Sequence, residues 1–468
     1  MNPSPSAKTY PRRRTILKAL ATTPLLSACV TSGNDDQPSS PTGAKSSQNP
    51  LGVKEDAPLE VVIFKGGYGD DYARKAEDLY KQRYPKATID HKGIQKVGEA
   101  LQPRFVANTP PDVVDNTGAG RLDLATLVGA KQLADLAELL DAPSFDDPNT
   151  KVRDTLLPGV VEDGTFDKQV LTLNFTYTVW GVWYSKSLFA GKGWTYPKTW
   201  DEMLALCATI KGAGIAPWTY QGKYPEYMND PLLTMAAKTG GMDLVKAVDN
   251  LEPNAWKADG LKAAAEAFAE LAAKGYIMAG SEALSHTESQ AAWCQGKAAF
   301  IPCGSWLESE QKDVTPKGFD MVMGAVPSRT SGDKLSGAGV QATSSESFIV
   351  PAKAKNVAGG QEYLRILFSK QSARSFAETA GTLPAVAGAT DGLTLSSGLG
   401  SVRDAVTAAG RDAFTYRFRT WYAPLAKAVD DATGELINKR ATAAEWADRV
   451  QKAADAVAKD SSVKKYTR

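Results

Sequence analysis

The chain has 468 residues, of which 43% are hydrophobic and 23% charged, and this length allows two lobes that each bury a core. The composition excludes collagenous, coiled-coil and wholly disordered proteins. Lys and Arg (54) nearly balance Asp and Glu (53), so no overall positive field favours nucleic acid, and an uncharged ligand fits this balance better.

The first 29 residues have the features of an export signal. Residues 12–14 are all Arg, residues 19–28 are largely apolar, and Leu-Ser-Ala precedes Cys29 as in a lipobox. About ten apolar residues are too few to span a bilayer, which needs roughly 20. Cys29 is therefore the predicted lipid attachment point. Residues 13–18 also resemble a twin-arginine signal, and an Arg-rich general secretory signal is the alternative.

Residues 30–57 are rich in Ser, Gly, Pro, Asn and Asp. A segment of this composition buries too little apolar surface to offset the entropy of ordering it. We therefore expect a flexible tether between the anchor and the folded body.

Strand and helix patterns alternate at the start of the body. The predicted elements are strand 59–64, helix 70–84, strand 87–94, helix 98–107 and strand 111–115. A βαβαβ order predicts a parallel sheet with helices on both faces. Ligands of such sheets bind beyond the carboxyl ends of the strands, where the loops 66–70 and 116–120 lie.

The alternation continues to the end of the chain. The β-rich run 170–184 is too long for one flat strand, is interrupted by Gly181, and is expected to cross between lobes. Further elements are predicted as a helix that starts at Thr199 and carries Cys207, helices 231–238 and 260–274, strands 297–302, 322–326 and 347–350, and a helical tail from residue 420. Thr199 with Glu202, and Thr442 with Glu445, have the spacing of capping boxes.

With Cys29 assigned to lipid, three cysteines remain, so at least one thiol is unpaired. Cys207 lies in an apolar helical pattern and is predicted to be buried. Cys294 and Cys303 flank a short strand. The sequence is compatible with a disulfide between them and also with two free thiols.

The sequence contains no recognisable catalytic pattern. Only two histidines occur, His91 and His286, which supports neither a three-histidine zinc site nor a Ser-His-Asp triad. No P-loop is present. We expect no enzyme activity, no metal and no cofactor.

Several ordered segments resemble one protein family. These are Pro-Asp-Val-Val at 111–114, Trp-Tyr-Ser-Lys at 183–186, Pro-Lys-Thr-Trp-Asp-Glu at 197–202, Gly-Lys-Ala-Ala-Phe at 296–300 followed by Gly-Ser-Trp at 304–306, Phe-Ile-Val-Pro-Ala at 348–352 and Gly-Thr-Leu-Pro at 381–384. Together they resemble the extracellular solute-binding proteins of carbohydrate ABC importers, and most of all the branch that binds N-acetylglucosamine and chitobiose.

The resemblance implies a two-lobed α/β fold of the periplasmic-binding-protein type, with the ligand cleft between the lobes. Lobe 1 would comprise residues 58–174 and 343–390, and lobe 2 residues 175–342 and 391–468. It also implies a monomeric sugar-binding lipoprotein outside the cell membrane, working with permease subunits and a separate ATPase and without nucleic acid. A secreted carbohydrate-active enzyme and a sensory or adhesive surface lipoprotein are the alternatives.

A neutral sugar needs an aromatic ring against its C–H face and hydrogen-bonding groups around its rim. The loops after the strands supply polar candidates, and the resemblance adds Trp306 as the main stacking ring. The predicted ligand-binding residues are Tyr68, Asn116, Thr117, Thr178, Trp218, Tyr227, Trp306, Glu346 and Trp421. Asn116 on lobe 1 and Trp306 on lobe 2 are expected to close on the ligand from opposite sides. The alternative roles are core packing for Trp306, helix packing for Trp421, surface or interlobe packing for Trp218 and Tyr227, turn formation for Asn116 and Thr117, and a solvated charge for Glu346.

Overall fold

The computed structural model describes residues 43–66, 68–118 and 120–468. The strands in these ranges are β1 (Leu59–Phe64), β2 (Ile89–Ile94), β3 (Val113–Asp115), β4 (Thr165–Phe166), β5 (Gln169–Val170), β6 (Leu173–Ser185), β7 (Ala216–Trp218), β8 (Ala298–Gly304), β9 (Met321–Gly324), β10 (Val340–Ile349) and β11 (Ala413–Phe414).

The helices of the first half are α1 (Asp71–Arg83), α2 (Val97–Val106), α3 (Leu124–Gly129), α4 (Ala137–Asp141), α5 (Val160–Asp163), α6 (Lys186–Lys192), α7 (Trp200–Gly212) and α8 (Glu226–Asp249). Those of the second half are α9 (Asp259–Ala273), α10 (His286–Cys294), α11 (Leu307–Gln311), α12 (Val357–Leu367), α13 (Lys370–Ala380), α14 (Ser397–Ala409), α15 (Phe418–Trp421), α16 (Ala423–Ile437) and α17 (Ala443–Lys459). None of the described helices has the length and apolar character needed to cross a membrane.

One large sheet runs through the described part of the chain in the order β2-β1-β3-β10-β6-β8-β7, with β11 beside β10 and β9 beside β6. The pairs at both ends, β1 with β2 and β3, and β7 with β8, are parallel. The central pairs, from β3–β10 through β10–β6 to β6–β8, are antiparallel. The predicted βαβαβ unit is thus confirmed, and it forms one end of the sheet.

Both faces of β1 are covered. Val61 and Ile63 belong to one buried cluster and Val62, which points the opposite way, to another. Successive side chains of a strand face opposite sides of the sheet, so a strand apolar at every position must be buried on both faces. This is why residues 59–64 read as a continuous apolar run.

The two long strands β6 and β10 join the ends of the sheet. They pair in antiparallel register from Trp180 with Gln341 to Leu173 with Phe348. Beyond Trp180, β6 pairs instead with β8 and β9. One strand therefore contacts β10 with its first half and β8 with its second half.

Gly181 does not interrupt β6, contrary to the prediction. It pairs with Cys303 of β8 inside a continuous strand. A Cβ atom at position 181 would lie 2.6 Å from Met323 Cγ and 2.8 Å from the Gly324 carbonyl oxygen. The glycine is needed because β9 packs closely against it, and not because the strand ends there.

Both predicted capping boxes are confirmed. The Thr199 hydroxyl accepts from the Glu202 amide at the start of α7, and Thr442 and Glu445 do the same for α17. A third box, formed by Ser285 and Glu288, starts α10.

The tether predicted up to residue 57 is shorter than expected. Leu51 and Val53 are only 3% exposed and belong to the same buried cluster as Tyr84 of α1. The Asn49 side chain bonds both the amide and the carbonyl of Val53 and accepts from the Tyr84 hydroxyl. Two apolar side chains in a polar segment are enough to pack residues 49–53 against the body.

Cys29 and the export signal lie outside the described residues.

The three described cysteines are all free and buried, so the Cys294–Cys303 disulfide does not form in this structure. β8 runs back along α10, and the Cys303 thiol lies beside Gln290, one helical turn before Cys294. The Cys294 thiol instead faces the Thr315 hydroxyl at 3.9 Å. Cys207 is fully buried in α7, as predicted.

Candidate functional site

A cleft with a cavity volume of about 250 Å³ opens where the loops beyond β1 and β8 meet the middle of β10. Its lining residues are Phe64, Gly66, Tyr68, Tyr72, Trp306, Ser309, Glu310 and Glu346. The first four come from the β1–α1 segment and the next three from the β8–α11 segment. The cleft therefore lies between the two ends of the sheet, at the carboxyl end of β1 as predicted for a parallel unit.

Trp306 forms one aromatic wall of the cleft. It directly precedes α11 and is partly exposed. Its ring meets those of Trp180 and Tyr227 edge to face, with centroid distances of 4.8 and 6.2 Å. A Cβ atom at position 304 would lie 2.1 Å from the Trp306 ring, so the glycine lets the ring fold back over the end of β8. The indole is fixed by its neighbours while part of its surface stays free.

Tyr68 lies on the β1 side of the cleft. Its ring packs edge to face on Phe376 at 5.5 Å. Burial raises the pKa of Tyr68 to about 12, although a hydrogen bond with Thr382 opposes this shift. The phenol therefore stays neutral at physiological pH and can donate a hydrogen bond.

The floor of the cleft is a hydrogen-bonded carboxyl network. Asp115, at the end of β3, is fully buried and accepts from the Tyr72 hydroxyl at 3.0 Å and from the Thr117 hydroxyl at 2.5 Å. Thr117 in turn accepts from the Ser347 amide at 2.9 Å. The half-buried Glu346 directly precedes Ser347 and lines the cavity beside this network. Hydroxyl groups from α1 and from the loop after β3 thus hold the Asp115 carboxyl group in place.

Glu346 has an unusual backbone. Its φ is 55° although it lies within β10, while Ser345 and Ser347 on either side pair regularly with Thr176 and Asn174 of β6. A left-handed conformation costs a residue other than glycine about 1–2 kcal/mol. Backbone strain of this kind concentrates at functional sites.

Burial is the main cause of the raised pKa values of the two carboxyl groups on the floor of the cleft. It raises the pKa of Asp115 to about 7, against the hydrogen bonds from Thr117 and Tyr72. Burial, followed by the charge of Asp115, raises the pKa of Glu346 well above its usual range. Neutral carboxyl groups are therefore present in the cleft near physiological pH.

The structure brings together three predicted residues in the cleft lining: Tyr68, Trp306 and Glu346. Tyr227 supports the Trp306 ring from behind, and Thr117 supports the two carboxyl groups.

Two predicted residues serve the fold instead. Asn116 is 1% exposed, and its amide bonds both the amide and the carbonyl of Leu122, which closes its own loop. Trp218 is fully buried and packs on Phe268 and Phe300. A polar loop side chain can satisfy nearby backbone groups as readily as a ligand, and a strand-end Trp can point into the core.

Two more are outside the cleft lining. Thr178 is 7% exposed and shares a hydrogen bond with Ser345 across the β6–β10 pair. Trp421 stacks on Tyr466 at a centroid distance of 5.3 Å, with the Arg417 guanidinium over its ring. Trp421 therefore packs against the carboxyl-terminal segment, which was its alternative role.

Four lining side chains were not predicted: Phe64, Tyr72, Ser309 and Glu310. Tyr72 lies in the first turn of α1, whereas Tyr68 lies in the preceding loop, so helical spacing does not relate the two. Ser309 and Glu310 follow Trp306 within one helical turn. Helical spacing from Trp306 was therefore a usable signal for two of the four.

Residues 80–398 match the family described as bacterial extracellular solute-binding protein. The chain belongs to this family, whose members are extracytoplasmic binding proteins rather than enzymes, and its fold is the two-lobed α/β fold that the sequence predicted.

Among individual proteins, the chain is 34% identical to a diacetylchitobiose binding protein of Streptomyces coelicolor, over 97% of both chains. The apo form of RafE from Streptococcus pneumoniae has a TM-score of 0.70 at 18% identity, covering 86% of this chain and 99% of the other. A chitin oligosaccharide binding protein has a TM-score of 0.62 at 21% identity, covering 83% and 93%. These two structures support the fold.

Proposed function

We propose that this chain is the sugar-binding component of an ABC importer, and that its ligand is diacetylchitobiose or another short oligomer of N-acetylglucosamine. The cleft lining is the observation that carries the proposal. An aromatic wall at Trp306 and hydrogen-bonding groups at Tyr68, Ser309, Glu310 and Glu346 meet around one cavity.

This lining suits a neutral sugar for a physical reason. A pyranose ring has an apolar C–H face, which an indole ring can cover, and hydroxyl groups around its edge, which carboxyl and hydroxyl side chains can bond. No Lys or Arg is among the eight lining residues, so the lining offers no cation to a phosphate or carboxylate ligand. The 34% identity to a diacetylchitobiose binding protein over nearly the whole chain supports the choice of N-acetylated ligand.

The remaining parts of the proposal come from the sequence. The lipobox at Cys29 would anchor a monomer to the outer face of the membrane. The protein would be exported by the twin-arginine or the general secretory route. Of the tether predicted at residues 30–57, the part that would remain is residues 30–42, which lie outside the described residues, because Gly43, Lys45 and Gln48 bond the folded body. Separate permease subunits and an ATPase would complete the importer, because the chain contains no P-loop.

Calorimetric titration tests the proposed ligand. The protein carrying Cys29→Ala, which removes the proposed lipid anchor, is titrated with N-acetylglucosamine, diacetylchitobiose, cellobiose and maltose. We expect diacetylchitobiose to bind at least about 100-fold more tightly than maltose, because a site built to bond acetamido groups is left with unpaired polar groups by a ligand that lacks them. Equal affinity for all four sugars, or no binding of any, contradicts the proposed ligand. Recovery of intact sugar by chromatography separates binding from hydrolysis.

A further inference from the structure

Two carboxyl groups from distant parts of the sequence meet on the floor of the cleft. Asp115 ends β3 and Glu346 lies in β10, which is the neighbour of β3 in the sheet. The Thr117 hydroxyl links the two positions, because it donates to Asp115 at 2.5 Å and accepts from the amide of Ser347, which directly follows Glu346. Tyr72, which donates to Asp115, lines the cavity together with Glu346. Two carboxylates are both acceptors, so they cannot bond each other without a proton on one of them.

The groups around this pair offer no charge compensation. Tyr72 of α1 donates to Asp115. Tyr68 of the β1 loop and Glu310 of α11 face Glu346. Tyr363 of α12 faces Asp115. All of these are neutral or acidic. Among the described residues, neither carboxyl group forms an ion pair with Lys, Arg or His.

The cation that directly follows β1 is already paired. Lys65, directly after β1, pairs with the Asp70 carboxylate at 3.1 Å. Two carboxylates that share a buried site without a cation cannot both ionise, so the pair titrates as a unit and keeps one proton over a wide pH range.

The position of this proton matters for a ligand. Asp115 is fully buried and both of its oxygens accept from hydroxyl groups, whereas Glu346 lines the cavity. Glu346 adopts its strained φ of 55° at the place where β10 lines the cavity. Of the two groups, Glu346 is the one that a ligand can reach.

We propose that Asp115 and Glu346 hold one proton between them, that this proton resides on Glu346, and that Glu346 donates it to an acceptor oxygen of the bound sugar while the Asp115 carboxylate keeps its bonds from Tyr72 and Thr117. This inference rests on the proposed sugar-binding function. Asp115 acts as a positioning residue, which keeps Glu346 neutral without touching the sugar. A neutral Glu346 donates to a carbonyl or hydroxyl oxygen, whereas an ionised Glu346 repels that oxygen.

The affinity for sugar should therefore depend on pH in one direction. At low pH the pair holds its proton and the donor is present. As the pH rises and the pair loses the proton, the affinity falls, with a limiting slope of about tenfold per pH unit for a single linked proton. Above this transition, binding takes a proton from the solvent.

The test is calorimetric titration with diacetylchitobiose from pH 5 to pH 9, in pairs of buffers that differ in ionisation enthalpy. The wild-type affinity should fall towards high pH, and binding there should take up as much as one proton per sugar. Glu346→Gln keeps a neutral donor that cannot ionise, so its affinity should lose the pH slope and its proton uptake, whatever its absolute value. Glu270→Gln, at an exposed position on α9, is the matched control and should keep the wild-type slope.

Asp115→Asn tests the positioning role. The neutral amide can donate to Glu346 and so favours its ionised form, which should move the fall in affinity to lower pH. An affinity that is constant across the pH range in the wild type, or an equal slope in wild type and Glu346→Gln, overturns the proposal while leaving sugar binding intact.

An infrared measurement without ligand separates the proposal of sugar binding from the proposal of a proton held by Asp115 and Glu346. The infrared difference spectrum of wild type minus Glu346→Gln at pH 7 should contain the band of a protonated carboxylic acid; Asp230, whose pKa burial raises to about 7, is present in both proteins and cancels in the difference. If no sugar binds at any pH but the band is present, the proposed function fails and the shared proton stands. If the band is absent, the shared proton is excluded.

Discussion

At the scale of single residues, two side chains decide what the cleft can do: Trp306 and Glu346. The indole is held by Trp180 and Tyr227 and still lines the cavity, and the carboxyl group is held by Asp115 at the cost of a strained backbone. Both are fixed before a ligand arrives. A site fixed in advance loses less entropy on binding.

Replacing Trp306 with Ala should weaken sugar binding by about 1–3 kcal/mol, because stacking and desolvation at an aromatic face are of this order. Folding should survive, since the ring is partly exposed. Calorimetry and thermal unfolding measure the two effects separately. Trp421→Ala, which removes an indole outside the cleft, is the control and should leave the affinity unchanged. A larger loss of affinity in the control than in Trp306→Ala would reverse the assignment of the two rings.

Glu346→Gly should make the protein more stable and the sugar affinity lower. Glycine adopts a φ of 55° without strain, which is worth about 1 kcal/mol here, and the change removes a carboxyl group that burial disfavours in its ionised form. Glu346→Ala removes the same carboxyl group but keeps the strain. Denaturant unfolding should therefore rank Glu346→Gly above Glu346→Ala by about 1 kcal/mol. An equal stability of the two variants would show that the backbone at position 346 is unstrained.

At the scale of elements, the junction between β8 and α11 sets the position of Trp306. Gly304→Ala would place a methyl group 2.1 Å from the present ring position, so the indole must rotate or shift into the cavity. We expect an affinity loss of about 1–3 kcal/mol, as for Trp306→Ala, because the stacking surface is moved rather than removed.

The matched control for this junction is Gly318→Ala, at an exposed turn where a Cβ atom meets nothing within 4 Å. Its positive φ predicts a loss of stability without a loss of affinity. Unchanged sugar affinity in Gly304→Ala would mean that the ring position at the end of β8 is not important for binding.

The elements also show what the sequence could and could not predict. β1 was predicted with its observed bounds because its apolar run is buried on both faces. β10 was predicted only as residues 347–350, because Gln341 to Glu346 are polar and give no apolar signal; their strand conformation comes from pairing with β6. Pairing between segments more than 150 residues apart is set by tertiary structure and is not visible in a local pattern.

The same limit applies to the candidate site. Trp306 was predicted from the family resemblance, and Tyr68 from its position in the loop after the first strand. Asn116 and Trp218 had the same local signals but bond their own loop and fill the core. The contact between Asp115 and Glu346 was beyond sequence analysis, since it depends on β3 and β10 being neighbours in the sheet.

At the scale of the whole molecule, the cleft is built from both ends of the sheet, and β6 and β10 connect them. Within the run 170–184, which is predicted to cross between the lobes, Asn174 pairs with Ser347, and Thr176 bridges to Pro384. Three chain segments that run side by side at one place can act as a hinge between two lobes.

We therefore predict that sugar closes the two lobes. A ligand that contacts both sides of the cleft binds the closed form better and shifts the equilibrium towards it. Saturating diacetylchitobiose should reduce the radius of gyration in small-angle X-ray scattering, and Trp306→Ala should reduce this change at equal sugar concentration. Scattering curves that coincide with and without saturating sugar would contradict closure, although not binding.

A crystal structure with diacetylchitobiose bound is the most direct test of whether the sugar binds in the cleft between Tyr68 and Trp306. In that structure we expect a sugar ring against the Trp306 indole, contacts from the sugar to Tyr68 on the opposite side, and a sugar oxygen within about 3 Å of the Glu346 carboxyl group. Sugar bound elsewhere on the protein, with the cleft between Tyr68 and Trp306 empty, would contradict it.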